Sequence, residues 1–309
     1  MKQQTQLRAR YLQTLKHSDT EETIDLWFYR PIGFCVALVG EKFGWTPNAI
    51  TIFGIFLGIG SGLLLLPHNL WLNLLGFALL VMADVCDSAD GQLARMTKQY
   101  SRLGRILDGV SSDVWFASIY ICIAIRYAPE WGWKIWALAS CAGACHALQA
   151  CMSDHYRQMH LFFANIAGNA YVPLDTTSGG GAVNELDSSE DMKKEFAQIS
   201  FAKEPVRKIS IYFYKNYTLL QETLNPTLTA FRRRFCQNHK LLMPEFCEFM
   251  RRRTFPFMKW TNVLTYNWRA ITLFVSILLG TPWYYLACEV TIFNLILIYM
   301  MIGFNRQFR

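Results

Sequence analysis

Charged side chains are scarce in this chain: Asp, Glu, Lys and Arg together make up 17% of its 309 residues, against 52% hydrophobic. Soluble domains typically carry more charge, so this composition argues against an ordinary globular protein and for one solvated by lipid. The first 25 residues hold no short apolar core, so no signal peptide is expected. The nine cysteines show no paired metal-ligand spacing. Cys141 and Cys145, one turn apart in ASCAGACHA, read as close helix packing rather than a zinc site, and reduced thiols are the default. No internal repeat or extended low-complexity tract is present, which excludes a repeat architecture.

What is present is long apolar sequence. Six segments stand out, at 47–67, 70–93, 104–127, 131–153, 262–280 and 283–304, each near the roughly 20 residues that span a bilayer as helix. Pro67, Pro129 and Pro282 fall between segments, where the chain is expected to turn. Of the 30 Lys and Arg, only Arg126 and Lys134 fall in the loops on one side, which puts both termini in the cytoplasm. The net charge of +7 suits an anionic membrane surface.

The sequence therefore predicts an all-α, polytopic membrane protein in four parts. Residues 1–45 form a cytoplasmic segment whose stretch 22–44 is an amphipathic helix on the membrane surface. Residues 46–153 hold the first four transmembrane helices, 154–261 a cytoplasmic helical insertion, and 262–309 the last two transmembrane helices and a tail. In the insertion, SGGG at 178–181 and the following NELDSSED read as a flexible acidic loop, while 192–255 is helical in pattern. Its arginine triplets, Arg232 to Arg234 and Arg251 to Arg253, read as a solvated or membrane-facing positive edge, or as a site for lipid headgroups or an anionic partner.

Carboxylates at the junction of two apolar segments require a reason. Asp84, Asp87 and Asp90 recur every third residue, along one side of a helix, and Asp108 begins the polar end of the next helix, where it can face them. Bare, such a cluster repels itself and carries a heavy desolvation cost, so a divalent cation with oxygen ligands is the expected countercharge. Buried acids on neighbouring helices would also serve an ion or proton transporter. A transporter has no need of Gly and Ala at fixed offsets beside an arginine.

The stretch from Asp87 to Asp108 resembles the signature of the CDP-alcohol phosphotransferase family, D-x2-D-G-x2-A-R-x8-G-x3-D-x3-D. Asp87, Asp90, Gly91, Ala94, Arg95, Gly104 and Asp108 stand at matching spacing, and TPNAIT, with Asn48 and Thr51, resembles a PN-x2-T that members often carry. The last position departs: Ser112 stands where a fourth Asp is expected, and Asp113 follows. On a regular helix residue 112 is turned only about 40° from Asp108 and residue 113 about 140°. A one-residue π-bulge near Gly109 would return Asp113 to the site. Otherwise Ser112 fills the position, Asp84 substitutes, or the chain is a catalytically dead scaffold.

The resemblance implies metal-dependent displacement of CMP from a CDP-linked donor by an alcohol, with Mg2+ or Mn2+ as cofactor. It makes Asp87, Asp90, Asp108 and Asp113 metal ligands, with Asp113 and Asp108 catalytic. Asn48, Thr51, Asp87, Gly91, Ala94, Arg95 and Gly104 would serve the nucleotide. Partners implied are the CDP-linked donor, lipid, the membrane and a second copy of the chain as homodimer; no nucleic-acid partner is expected. The donor is read as CDP-diacylglycerol, or alternatively as a CDP-linked head group with a lipid acceptor. Lys98, Arg102, Arg105, Arg157 and Arg269 read as acceptor-binding, suited to inositol phosphate or glycerol phosphate. His146 reads as a helix-packing histidine.

Overall fold

Prolines start helices throughout this chain. Pro31, Pro47, Pro205, Pro226 and Pro244 each stand in the first turn of a helix, where the missing N–H has no intrahelical partner to lose. The computed structural model describes residues 2–15, 18–100, 102–167, 188–201, 204–237 and 243–308, and among them there is no strand. Its helices are α1 (Lys2–Gln13), α2 (Arg30–Phe43), α3 (Pro47–Leu63), α4 (Leu70–Thr97), α5 (Arg102–Trp131), α6 (Trp133–Ala167) and α7 (Ser189–Gln198). They continue as α8 (Pro205–Leu224), α9 (Pro226–Gln237), α10 (Pro244–Val263), α11 (Tyr266–Leu278), α12 (Trp283–Val290) and α13 (Ile292–Asn305). A π-helical turn, Asp25–Tyr29, leads into α2.

The chain divides into two units, residues 1–147 with 265–294, and residues 148–264 with 295–309. In the first, α3 packs along α4 and α5. Its face of small residues makes this contact close: a methyl added at Gly58 would overlap the Trp115 ring, and one at Gly54 would stand 3.1 Å from Cys86 Cβ. Gly33 and Gly40 bring α2 against Ser88, Gln92 and Leu93 of α4 in the same way. Behind them lies a core of Leu80, Trp115, Phe116, Ile119, Ile135, Leu273 and Tyr285, all fully or almost fully buried.

The second unit is stitched by buried polar contacts. Arg232 pairs with Glu222, which also accepts from Ser189 Oγ at 2.6 Å. Asn225 Nδ2 donates to Tyr156 OH at 2.8 Å and to Asn305 Oδ1 at 2.9 Å. The arginine triplets are largely engaged inside this unit: Arg233 faces Glu190, Arg251 and Arg252 face Glu248, and Arg253 donates to Gln307. Residues 178–187 of the expected flexible loop lie outside the described residues, and its last residues open α7 at Ser189.

Four helical stretches are long and apolar enough to cross a membrane: Leu70–Thr97, Leu107–Trp131, Trp133–Ala167 and Trp283–Phe308. The expected first and fifth spans are shorter helices, 17 residues in α3 and 13 in α11. At 1.5 Å per residue these fall below the roughly 30 Å of a hydrocarbon core. Two boundaries also differ from expectation. Pro129 lies inside α5, and the turn falls instead at Gly132, whose φ of 57° a glycine adopts without cost. α6 then continues unbroken to Ala167, past the expected end at 153.

Candidate active site

Helix ends set the site. Thr46 caps α3, its side chain accepting from Ala49 N at 3.3 Å, with Pro47 next in the first turn. This cap starts α3 so that Thr51 lies one turn in, buried, donating its hydroxyl to Asp90 and to Pro47 O (3.1 Å). Asn48 is half-buried in the same first turn. At its other end α4 stops at Lys98, a left-handed residue with φ 56°, and the chain then enters α5. The two halves of the motif thus lie on adjacent helices joined by a short reversal.

The reversal brings carboxylates together. Asp87 and Asp90 of α4 and Asp108 of α5 each offer an oxygen within 4.8 Å of the others. Asp90 is buried and the other two are half-buried. An all-carboxylate donor set at this spacing can hold a divalent cation, which also offsets the repulsion among the three.

Asp113 is not brought to this cluster. α5 is regular α-helix from Arg102 to Trp131, without the expected π-bulge. Gly109 has open space around it, so no packing force distorts the helix there. Asp113 is exposed, Ser112 is half-buried, and Ser111 is fully buried against the site. Ser111 Oγ lies 3.3 Å from Asp87 Oδ1 and donates to Asp108 O at 2.8 Å. The motif offers no mark for Ser111. Its place three residues after Asp108 on a regular helix was the available signal. Asp84, a turn before Asp87, is half-buried and outside the cluster.

The remaining motif residues flank the cluster on α4 and α5. Gly91, Ala94, Arg95 and Gly104 are all half-buried. Arg95 folds back over Gly91, where an added Cβ would stand 3.4 Å from its Nη2. The space at Gly91 is therefore shared with this guanidinium.

The basic residues are dispersed. Lys98 is exposed, and the side chains of Arg102 and Arg105 lie outside the described residues. Arg157 is in the second unit, with Nη2 3.5 Å from Asn262 Oδ1. Arg269 is only 2% exposed and its Nε lies 2.9 Å from Glu289 Oε1. Its Nη1 is 3.3 Å from His146 Nε2, while Tyr120 and Tyr285 donate to Glu289 Oε1 at 3.1 and 2.8 Å. His146 thus belongs to a buried polar network rather than to apolar packing alone.

An uncharacterized protein of Aquifex aeolicus (strain VF5) is 38% identical to this chain over 88 residues, which cover 28% of this chain and 43% of that protein. The chain therefore aligns with less than half the length of this relative. The family model for CDP-alcohol phosphatidyltransferase matches residues 44–176, the stretch that carries Thr51, the three clustered aspartates and Arg95. Over these residues, which make up less than half of the chain, the sequence is similar to the CDP-alcohol phosphatidyltransferase family.

Proposed function

We propose that this protein transfers a phosphatidyl group from CDP-diacylglycerol to a polar alcohol and releases CMP. The observation that carries the reading is the convergence of Asp87, Asp90 and Asp108 within a matching family segment. The donor set is all oxygen, which suits Mg2+ or Mn2+ over softer metals. Such an ion, when bound, neutralises the diphosphate and lowers the pKa of a coordinated hydroxyl.

The acceptor oxygen attacks the phosphorus distal to the cytidine. A new O–P bond forms, the P–O bond to CMP breaks, and CMP leaves with the electron pair. The hydroxyl proton passes to a carboxylate. We assign that role to Asp108 in preference to Asp113, because Asp108 lies in the cluster and Asp113 is exposed on a regular helix. Thr51 and Ser111 orient Asp90 and Asp87. Arg95, with its planar fork of donors beside Gly91, binds the diphosphate; Asn48, Ala94 and Gly104 line the nucleotide's place.

The reading includes six membrane-crossing helices, with α3 and α11 completing the four long stretches, α2 on the membrane surface and the site facing the cytoplasm. It also includes a homodimer. A phosphorylated acceptor, suggested by the basic residues, loses the support of Arg269, whose charge is met by Glu289. The test is CMP release by the purified chain in detergent, with Mg2+ or Mn2+ and CDP-diacylglycerol. Release that is dependent on an alcohol and abolished by a chelator supports the function, and silence across donors and acceptors rejects it.

A further inference from the structure

Two helices of the second unit leave a groove between them. On α13 and the turn after it, Leu295, Tyr299, Ile302 and Arg306 fall on one face of the helix. The first three are exposed, at 67, 56 and 50%. Arg253, Phe257 and Trp260 share a face of α10 in the same way. The helices close on each other at Gly303, where an added methyl would overlap the Phe257 ring, and Trp260 meets Tyr299 edge to face at 5.1 Å. A hollow of about 420 Å3 runs from Arg306 past Ile302 and Phe257 to Tyr299, and one of about 220 Å3 continues from Tyr299 to Trp260 and Leu295. Tyr299 borders both, so the two form one trough.

Charge is concentrated at one end of it. Arg306 lines the mouth, exposed, and its side chain makes no hydrogen bond or ion pair among the described residues. Arg253 reaches the same mouth, where its Nε donates to Gln307 Oε1 at 3.0 Å and its guanidinium lies 5.3 Å from the Phe249 ring centroid. Neither contact supplies a negative charge. Residues 249–264 and 292–309 hold no Asp or Glu at all. Arg251 and Arg252, by contrast, share Glu248.

Depth and length point to the occupant. The apolar stretch Trp283–Phe308 has 26 residues, about 39 Å as helix, which exceeds the roughly 30 Å of hydrocarbon and stays within the roughly 40–45 Å that includes headgroups. Arg306, near its end, therefore stands at headgroup depth. From Leu295 to Arg306 the trough runs roughly 16 Å, the depth of one leaflet. A second copy laid on this face would meet it at the same depth and set these arginines against their own equivalents, which repel.

We infer that the groove between α10 and α13 binds one anionic phospholipid, its phosphate held by Arg253 and Arg306 and an acyl chain lying along Phe257, Trp260 and Tyr299. Guanidinium forks suit a phosphate oxygen pair. An anionic lipid is preferred because a zwitterionic headgroup brings its own ammonium against the two arginines. None of these residues belongs to the aspartate motif, so the site stands independently of the proposed transfer reaction.

The full chain in detergent is titrated with phosphatidylglycerol, phosphatidylcholine and free glycerol phosphate, and bound molecules are counted by native mass spectrometry. One phosphatidylglycerol per chain is expected, held about tenfold tighter than phosphatidylcholine, with no glycerol phosphate retained. Arg253→Gln combined with Arg306→Gln is expected to bring the two lipids within about twofold of each other. Ile302→Trp fills the trough from an exposed position and is expected to weaken both lipids about tenfold. Arg251→Gln is the control: its charge already faces Glu248, so phosphatidylglycerol affinity stays within about twofold. Equal affinity of the native chain for the two lipids overturns the site, as does phosphatidylglycerol binding unmoved by the paired arginine variant or by Ile302→Trp. Glycerol phosphate held as tightly as lipid overturns it in favour of a simple anion site. A lipid-free dimer that Ile302→Trp dissociates overturns it in favour of a second copy of the chain.

Discussion

Thr51 donates its hydroxyl to the carboxylate of Asp90, joining the first turns of α3 to the acidic face of α4. Both residues are 4% exposed, so the bond is made where water does not compete. A carboxylate held in this way presents its other lone pairs in a fixed direction, and outer partners of this kind commonly govern metal affinity.

Thr51→Val keeps the shape of the side chain and removes the donor. It is expected to weaken Mn2+ binding and CMP release by about 10- to 100-fold with the fold retained. Isothermal titration with Mn2+ and the CMP assay check this. Unchanged Mn2+ affinity would show that Asp90 is held by other means.

Asp108 and Asp113 make a direct contrast. Asp108 is in the cluster, whereas Asp113 is exposed on a regular stretch of α5. Asp108→Asn is expected to lower single-turnover CMP release by about 10²- to 10⁴-fold, the range of a lost general base. Asp113→Asn is expected to stay within about threefold on the same scale. The opposite ranking would return the proton-accepting role to Asp113.

These two cases show where the sequence was readable. Asp87, Asp90 and Asp108 converge because their spacing is helical and the connection between α4 and α5 is short, and both facts are visible in a string of letters. Ser111 was not visible, because the motif assigns meaning to residue 112 and the helix phase decides which neighbour touches Asp87. A π-bulge is a matter of backbone geometry, and a glycine with open space around it gives no force to create one. Apolar stretches were legible, but hydropathy does not see caps. α11 begins at Tyr266 because Thr265 is extended, which removes four residues, Val263 and Leu264 among them, from the start of the expected fifth span. Arg269 was readable as needing a carboxylate or phosphate, but its partner, Glu289, is 20 residues away on another helix.

Gly58 sets the backbone of α3 directly against the Trp115 ring of α5. A methyl there would overlap the Trp115 ring, and Trp115 is only 1% exposed, with no room to retreat. Gly58→Ala is expected to destabilise the protein by about 1–3 kcal/mol, the usual cost of overpacking a filled core. Thermal unfolding in detergent measures it. Gly109→Ala is the control: its added methyl meets nothing within 4 Å, so the same measurement is expected to show no loss.

The buried pair of Arg269 and Glu289 distinguishes a structural charge from a substrate-binding one. Glu289 is fully buried and accepts from Arg269, Tyr120 and Tyr285 at 2.9, 3.1 and 2.8 Å. Removing one partner strands the other charge away from water, a loss of about 3–5 kcal/mol, while replacing both removes the desolvation cost together with the attraction. Glu289→Gln is therefore expected to lower the unfolding midpoint sharply, and Arg269→Met combined with Glu289→Gln to recover most of the loss. If Arg269 instead holds a substrate phosphate, the double variant would remain folded and lose affinity for the CDP-linked donor or the acceptor. Unfolding midpoints and KM values for the same set of variants separate the two roles, and the geometry predicts recovered stability with KM essentially unchanged.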